Sequence, residues 1–175
     1  MTQPERQVWM GVVQGTALGE IWTAVSVNGL VALNLWDEQD RFVEQVTKLT
    51  GVTPEYAEDK TAVIAQQLRQ YLHKERTDFT LPIDWSVMSD FQQAAMRAIC
   101  DIPYGQLRTY LDIANTLGNP KAIRAIGRAN ATNPMPIVIP CHRVLSSDGK
   151  LHGYSAPGGL ETKAWLLRLE GSWLL

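Results

Sequence analysis

The most informative segment of this chain, for both its fold and its reactivity, is Ile137-Val138-Ile139-Pro140-Cys141-His142-Arg143-Val144. Its three β-branched residues favour a short buried strand, and Pro140 restricts the backbone just before the cysteine. A thiol beside an imidazole can be held as a thiolate, which is the nucleophilic form of cysteine. We therefore predict that a short strand presents Cys141 as a reactive group.

The neighbouring histidine needs a partner to act on this thiol. Adjacent residues of a strand face opposite sides, so His142 can reach Cys141 only through a turn or a bridging water. A third group should orient the imidazole. The candidate is Glu170, at the end of a helix predicted over about 162–169, where a carboxylate opposes the helix dipole at up to about 1 kcal/mol. A solvated acid at a helix end is the alternative.

Composition excludes several classes of protein. The chain has 175 residues, of which 45% are hydrophobic and 19% charged, as expected for a globular protein of one or two domains. Its two cysteines form no disulfide or metal-ligand framework, which favours a cytoplasmic location and no metal. Cys100 is expected to be an inert buried residue. No apolar run approaches the roughly 18 residues of a membrane span, so no membrane partner is expected.

Charge is distributed unevenly along the chain. Residues 1–100 carry 8 Lys and Arg against 13 Asp and Glu, whereas residues 101–175 carry 8 against 5. This asymmetry favours a polyanion as the partner of the C-terminal half, and scatter in surface charge is the alternative.

The first half begins with a β pattern. Strand formers over 21–27 and 30–36 flank Asn28-Gly29, which is a strong hairpin signal, and residues 9–13 predict a third strand. Two helices are predicted to follow, over about 38–49 and 60–75. The first should stop near Gly51, and the second should have Asp59 as its N-cap. Its expected apolar face comprises Val63, Leu68, Tyr71 and Leu72.

Helical signals dominate the second half. Ser89 with Gln92 and Thr109 with Asp112 are spaced as capping boxes, which predict helices over about 90–100 and 109–117. Gly118 fits the position after the second helix. Asn119 and Pro120 fit the N-cap and first position of another, extending to about residue 130. Two short helices joined by a tight turn form a helix-turn-helix pattern, which also occurs in helical hairpins that never contact DNA.

The second helix of this pair carries a basic face. At about 100° per residue, Lys121, Arg124 and Arg128 share a narrow arc. The apolar residues Ala122, Ile123, Ile126 and Ala129 are expected on the opposite side. Small residues such as Ala125 would let the helix backbone approach a partner closely. In this context the basic face predicts nucleic-acid binding, and a solvated face on a packed helix is the alternative.

These patterns predict an α+β protein with two domains. Residues 1–80 should form a small α/β scaffold with an antiparallel hairpin sheet. Residues 81–175 should form a mostly helical DNA-binding domain with a helix-turn-helix and a short active-site strand.

The C-terminal half resembles the O6-alkylguanine-DNA alkyltransferases, also called methylated-DNA–protein-cysteine methyltransferases. The resemblance runs from about residue 91 to 171 and centres on Asn133-Pro134-Met135-Pro136-Ile137-Val138-Ile139-Pro140-Cys141-His142-Arg143-Val144. The segments 118–127 and 165–171 also match in order and spacing. The loop from Tyr154 to Gly159 is about two residues longer than usual in the family.

The resemblance implies direct-reversal DNA repair. It implies that a monomer binds double-stranded DNA in the minor groove, with cooperative binding along DNA left open. The alkylated guanine is flipped out of the duplex, and its alkyl group passes once and irreversibly to Cys141. The alkyl-transfer chemistry that the resemblance implies needs no cofactor. A location in the cytoplasm follows, on the nucleoid if the source is bacterial.

The resemblance also implies a role for each site residue. Cys141 is the alkyl acceptor, His142 a water-mediated base and Glu170 the carboxylate behind it. Tyr110 aids flipping and donates a proton, and Asn133 is the hinge asparagine. Arg124 fills the vacated base stack. The remaining DNA-binding residues are Lys121, Ala125, Arg128 and Tyr110, and the pocket residues are Met135, Pro136, Val144, Tyr154 and Ser155.

Three other functions remain open at this stage, one of which is a plain DNA-binding module with an inert buried cysteine. An alkyltransferase-like protein would bind the lesion without repairing it, but such proteins lack the acceptor cysteine. A cysteine hydrolase with a Cys-His-Glu triad would need an oxyanion hole and would turn over.

Overall fold

The computed structural model describes residues 6–35 and 38–173. The chain divides into two units, Met1–Val87 and Met88–Leu175. Strands dominate the first and helices the second, so the predicted α+β class is confirmed. Within the described ranges, none of the helices has the length and apolar character needed to cross a membrane.

The first unit is organised by the hairpin that Asn28-Gly29 predicts. Strands β2 (Gly19–Ser26) and β3 (Gly29–Leu35) pair antiparallel, with Ser26 opposite Gly29. The turn therefore consists of Val27 and Asn28, one residue earlier than predicted, and Gly29 begins the second strand. Gly29 has a φ of 129°, and a Cβ at this position would lie 2.3 Å from the carbonyl oxygen of Pro82. Glycine is therefore required both by the backbone and by the close approach of residue 82. Trp36, the last residue of the predicted strand, lies outside the described residues.

The remaining elements complete a four-stranded sheet. The predicted third strand is β1 (Val8–Thr16), and a short β4 (Glu55–Tyr56) pairs parallel to it, giving the order β3-β2-β1-β4. Helix α1 (Gln39–Thr50) ends at Gly51, which adopts a φ of 77° as expected of a left-handed C-cap. Its buried residues Phe42 and Val46 pack on the sheet core.

Helix α2 (Glu58–Leu72) begins earlier than predicted. Its N-cap is Ala57, and Asp59 lies inside the first turn, where its charge still suits the helix dipole. Val63 is 60% exposed, so its assignment to the apolar face is wrong. The buried face is made by Thr61, Ile64, Gln67, Leu68, Tyr71 and Leu72. The row of buried residues spaced i, i+4, i+7 begins at Ile64, one residue after Val63, and Val63 therefore lies outside the buried face.

The described part of the second unit, residues 88–173, contains four α-helices and one two-stranded sheet. The helices are α3 (Asp90–Cys100), α4 (Tyr110–Thr116), α5 (Ile123–Ala131) and α6 (Gly159–Leu169). Strands β5 (Arg108–Thr109) and β6 (Val144–Leu145) pair in parallel, Arg108 opposite Val144. This pairing places the start of α4 beside the end of the cysteine segment.

One predicted capping box forms completely and the other by half. Thr109 accepts from the Asp112 amide, and the Asp112 carboxylate accepts from the Thr109 amide at 2.7 Å. Ser89 likewise accepts from the Gln92 amide. The Gln92 side chain, however, donates to the carbonyl of Thr132 at 3.1 Å and thus ties α3 to the end of α5.

The helix-turn-helix forms, but its second helix starts late. Gly118 has a φ of 69° in the turn after α4. The predicted start at Pro120 is wrong: Ala122 donates to the Asn119 carbonyl at 3.0 Å, which closes a separate turn, and Ala122 is the N-cap of α5. Ile123 is 40% exposed, contrary to its predicted place on the apolar side.

The predicted strand over 137–139 is wrong, because these residues form a turn. The Asn133 side chain closes it, donating to the Ile139 carbonyl at 3.0 Å and accepting from the Met135 amide at 2.9 Å. Ile137 has a φ of 75°, a strained conformation for a β-branched residue. The run is buried and apolar, as expected of a strand, but the flanking prolines lack the donors a ladder needs. The strand instead follows the cysteine, as β6.

Candidate functional site

Cys141 begins a short 3₁₀ helix, Cys141–Arg143, directly before β6. It is 2% exposed, and this burial raises the pKa of its thiol. Hydrogen bonds from the side chains of Asn133 and Tyr154 and the positive charge of Lys163 lower that pKa and offset part of the effect. The resting thiol is therefore protonated, contrary to the expectation of a preformed thiolate.

Cys100 provides a contrast with Cys141. Burial raises the pKa of the Cys100 thiol to about 11, and Asp101 adds to the shift. Burial raises the pKa of both thiols, and Cys141 differs in accepting hydrogen bonds from Asn133 and Tyr154, which lower its pKa.

The predicted contact between His142 and Glu170 forms in a fully buried setting. His142 Nε2 lies 2.8 Å from Glu170 Oε1, and both side chains are 0% exposed. Burial lowers the pKa of His142 and outweighs the effect of Glu170, so the imidazole is neutral. Nε2 then carries the hydrogen that Glu170 accepts, and Nδ1 is left with a free lone pair. Nδ1 has no hydrogen-bond partner among the described residues.

Arg143 holds the carboxylate of this pair. Its Nε lies 2.9 Å from Glu170 Oε2 and its Nη2 lies 2.8 Å from Glu170 Oε1, a bidentate contact. Its Nη1 donates to the carbonyl of Ile102 at 2.6 Å, and the Gly105 amide also donates to Glu170. These donors offset the unfavourable position of a carboxylate at the C-terminal end of α6 and hold Glu170 in place.

Lys163 is a buried base that sequence reasoning missed. It is 1% exposed, and its Nζ donates to the carbonyl of Val144 at 2.8 Å. Burial lowers the pKa of Lys163 to about 8, while the Cys141 thiolate acts in the opposite direction. A sequence signal did exist: Lys163 and Glu170 are seven residues apart and therefore lie on one face of α6.

Tyr110 is the first residue of α4 and lines a cavity of about 450 Å³. The cavity is lined by Tyr110, Gly127, Asn130, Ala131, His152, Gly153, Tyr154 and Ser155. Burial raises the pKa of the Tyr110 phenol, so the group keeps its proton at neutral pH. The predicted pocket residues Tyr154 and Ser155 thus line the cavity. Met135, Pro136 and Val144 are buried and are not among its lining residues.

The basic face predicted near α5 is exposed. Arg124, Ala125 and Arg128 are exposed on the helix, and Lys121 is exposed in the turn before it. On the other side, Ile126 and Ala129 are buried in the second unit. The described ranges contain no group of three His, Cys, Asp or Glu side chains that could hold a metal ion.

Comparison with known proteins identifies both halves of the chain. Residues 14–85 match the 6-O-methylguanine DNA methyltransferase ribonuclease-like domain, and residues 90–172 match the DNA binding domain of the same proteins. The chain belongs to the 6-O-methylguanine DNA methyltransferase family. The resemblance inferred from the cysteine motif is thereby confirmed.

Individual relatives extend this family assignment over most of the chain. The constitutive methylated-DNA–protein-cysteine methyltransferase of Bacillus subtilis is 46% identical over 159 residues, covering 89% of this chain and 91% of that protein. The inducible Bacillus subtilis methyltransferase is 45% identical, but the match spans 65% of this chain and 62% of that protein. The Methanosarcina barkeri methyltransferase is 48% identical over 61% of this chain and 65% of that protein.

Solved structures of the family share the fold. The Mycobacterium tuberculosis O6-methylguanine methyltransferase superposes with a TM-score of 0.79 at 31% identity, covering 97% of this chain and 96% of that one. The Mycobacterium tuberculosis OGT in complex with DNA gives a TM-score of 0.75 at 34% identity, covering 93% and 92%.

Proposed function

We propose that this member of the 6-O-methylguanine DNA methyltransferase family repairs O6-alkylguanine in DNA by direct reversal. The Cys141 sulfur attacks the alkyl carbon, so that a sulfur–carbon bond forms as the bond between carbon and guanine O6 breaks. The electron pair of the broken bond stays on the guanine, and the guanine leaves without its alkyl group.

The observation that carries this proposal is the neutral, oriented imidazole of His142. Its Nε2 is engaged by Glu170, while its Nδ1 has no partner among the described residues and is free to accept a proton. The protonated Cys141 thiol needs such a base when the alkyl carbon arrives. We assign the proton path from sulfur to Nδ1 to a bridging water, and the imidazolium that forms is stabilised by the fixed Glu170 carboxylate.

Tyr110 supplies the acid that guanine needs as a leaving group. Its phenol stays protonated because burial raises its pKa, and it lines the cavity. Transfer of its hydrogen to a ring nitrogen neutralises the departing guanine. Tyr154 and Ser155 border the same cavity, and we assign them to the wall that receives the flipped base. Asn133 maintains the turn that carries the nucleophile.

The reaction ends with the first transfer. A thioether is stable to water, and the second thiol of the chain, Cys100, has a pKa of about 11. The chain therefore acts as a stoichiometric acceptor that needs no cofactor. This distinguishes it from a Cys-His-Glu hydrolase, and the presence of Cys141 distinguishes it from lesion-binding proteins without an acceptor.

We assign the DNA contact to the exposed basic face near α5. Lys121 and Arg128 are suited to phosphates, and Ala125 offers the small surface that lets a helix approach a groove. Arg124 occupies the space left by the flipped base. We propose that a monomer binds the minor groove, as the resemblance implies, and that the protein acts in the cytoplasm.

Intact-mass measurement tests the proposed function. The chain is incubated with a DNA duplex that contains one O6-methylguanine. We expect a single methyl-sized gain in mass that maps to the peptide containing Cys141, with one methyl transferred per protein. Repeated turnover without a gain in mass would instead identify a hydrolase, and binding without transfer would identify a lesion-binding protein.

Arg124→Ala is expected to separate base flipping from chemistry. Without the side chain that fills the gap in the stack, transfer from duplex DNA should slow by about tenfold or more, since such contacts contribute about 1–3 kcal/mol. Reaction with free O6-methylguanine should change much less. Single-turnover rates on both substrates measure the difference, with the exposed Lys150→Ala as the control. Equal losses on both substrates would contradict the assigned role.

Lys163→Met is expected to reduce the fraction of Cys141 that is ionised at neutral pH. Loss of a nearby cation should raise the pKa of Cys141 further and slow its reaction at neutral pH, because a smaller fraction of the thiol is then ionised. In the wild type the positive charge of Lys163 should stop lowering the pKa of Cys141 above about pH 8, because Lys163 then loses its proton. The pH profile of Cys141 alkylation by a small reagent measures both effects, with Lys150→Met as the control. An unchanged profile would exclude this role for Lys163.

A further inference from the structure

Asn130 contacts both the hydroxyl of Tyr110 and the backbone of Cys141. It is 5% exposed near the end of α5, and its Nδ2 lies 3.2 Å from the Tyr110 hydroxyl oxygen. The same nitrogen lies 3.5 Å from the carbonyl oxygen of Cys141. Because a backbone carbonyl can only accept, the amide must present its nitrogen, not its oxygen, to this side.

This orientation determines where the Tyr110 hydrogen can point. A phenol has one hydrogen, and an oxygen that accepts from Nδ2 keeps that hydrogen for another partner. Tyr110 and Asn130 both line the cavity of about 450 Å³. The hydrogen is therefore available on the side where a base would lie. An acceptor in place of Nδ2 would bind the hydrogen itself.

The buried amide also lowers the stability of the folded chain. Its other end, Oδ1, is buried and has no hydrogen-bond partner among the described residues. Leaving a buried acceptor unsatisfied is unfavourable, whereas an apolar side chain of similar volume would avoid the cost. Stability alone would favour leucine or methionine here, so the asparagine points to a role for its Nδ2.

We propose that Asn130 is a positioning residue that directs the Tyr110 hydroxyl hydrogen into the cavity and then stabilises the phenolate left behind. The inference rests on the proposed function. During transfer the thiol proton passes to His142, the Tyr110 hydrogen passes to the guanine, and the alkyl group passes to sulfur. The site then holds an imidazolium and a phenolate, and Nδ2 donates to the latter. The hydrogen bond from Asn130 lowers the pKa of Tyr110 against the effect of burial, consistent with this role.

A double-mutant cycle tests the assignment. Single-turnover methyl transfer from duplex DNA to Cys141 is measured for the wild type, Asn130→Leu, Tyr110→Phe and the double variant. We expect Asn130→Leu to slow transfer about tenfold or more, within the range for a general acid, and to move the alkaline limb of the pH profile upward. In the Tyr110→Phe background the same substitution should have little further effect.

Two further variants separate positioning from packing. Asn130→Asp keeps the size but offers an acceptor, so it should bind the phenol hydrogen and slow transfer at least as much as Asn130→Leu. Gln67→Leu removes a buried amide from α2 and should leave transfer unchanged. Asn130→Met replaces the leucine variant if the latter does not fold.

The outcomes distinguish the two levels of the proposal. No methyl gain in the wild type would refute the proposed function itself. Transfer by the wild type with an equal loss from Asn130→Leu in both backgrounds would reduce Asn130 to a packing residue. An unchanged rate and an unchanged alkaline limb in Asn130→Leu would overturn the inference directly.

Discussion

Cys141→Ser is expected to abolish methyl transfer while leaving the fold intact. A serine hydroxyl is a far weaker nucleophile than a thiolate, and the proposed reaction depends on attack by the Cys141 sulfur. The rate should fall by on the order of 10⁴-fold or more, as for loss of a nucleophile in other enzymes. Intact mass after incubation with O6-methylguanine duplex measures the loss.

The second cysteine supplies a matched control for this substitution. Cys100→Ser should retain the methyl gain, because the Cys100 thiol has a pKa of about 11 and no role in transfer. Cys141→Ser should still bind the duplex, since the basic face near α5 is unchanged. Methyl transfer by Cys141→Ser, or its loss in Cys100→Ser, would move the acceptor to another residue.

Glu170→Ala is expected to destabilise the second unit by about 3–5 kcal/mol, because removing one partner leaves the others as uncompensated buried groups. Arg143 would lose both of its carboxylate contacts, and His142 would lose its contact with Glu170 at 2.8 Å. Urea unfolding of the variant and of the wild type, followed by far-ultraviolet circular dichroism, measures the change.

A second acid on the same helix calibrates this effect. Glu161 is exposed in the first turn of α6, and Glu161→Ala should cost about 1 kcal/mol or less. If Glu170→Ala does not fold, Glu170→Gln provides the test, because a neutral amide still destabilises the pair with Arg143. Similar midpoints for the variants at 161 and 170 would mean that the buried network contributes little.

Local patterns were sufficient to predict most of the elements. The Asn28-Gly29 hairpin, the Gly51 helix end and the Thr109–Asp112 capping box depend on residues close in sequence, and each forms, the hairpin with its turn one residue earlier than predicted. The start of α5 was misplaced because Asn119 and Pro120 suit a helix N-terminus but close a separate turn here. Such a choice depends on packing beyond the local sequence.

The segment before Cys141 shows the opposite case, in which a local pattern was misleading. A β-branched run between prolines has the composition of a buried strand, and its burial is indeed nearly complete. The Asn133 side chain, four residues before Ile137, supplies the hydrogen bonds that a neighbouring strand would have given. Composition reports burial, but it does not report which group satisfies the backbone.

The site could be predicted only where its chemistry is local or its motif specific. His142 adjoins Cys141, and Glu170 was found because an acid at a helix C-terminus conflicts with the dipole. Asn130 and Lys163 were missed because each is an ordinary residue of a helix. Both residues come close to Cys141 only in the folded chain. Asn130 contacts the Cys141 carbonyl although 11 residues separate the two, and the charge of Lys163 lowers the pKa of the Cys141 thiol.

The two-residue pairing of β5 with β6 has a consequence for where the chain can change length. Arg108 opposite Val144 fixes the start of α4, and thus Tyr110, against the segment that carries Cys141. One residue added on either side would shift the register by roughly 3.3 Å and separate the proton donor from the nucleophile. The loop between Leu145 and Gly159 lies outside this register. Natural variation in length is therefore expected to collect in that loop, where it can reshape the cavity without disturbing the reacting groups.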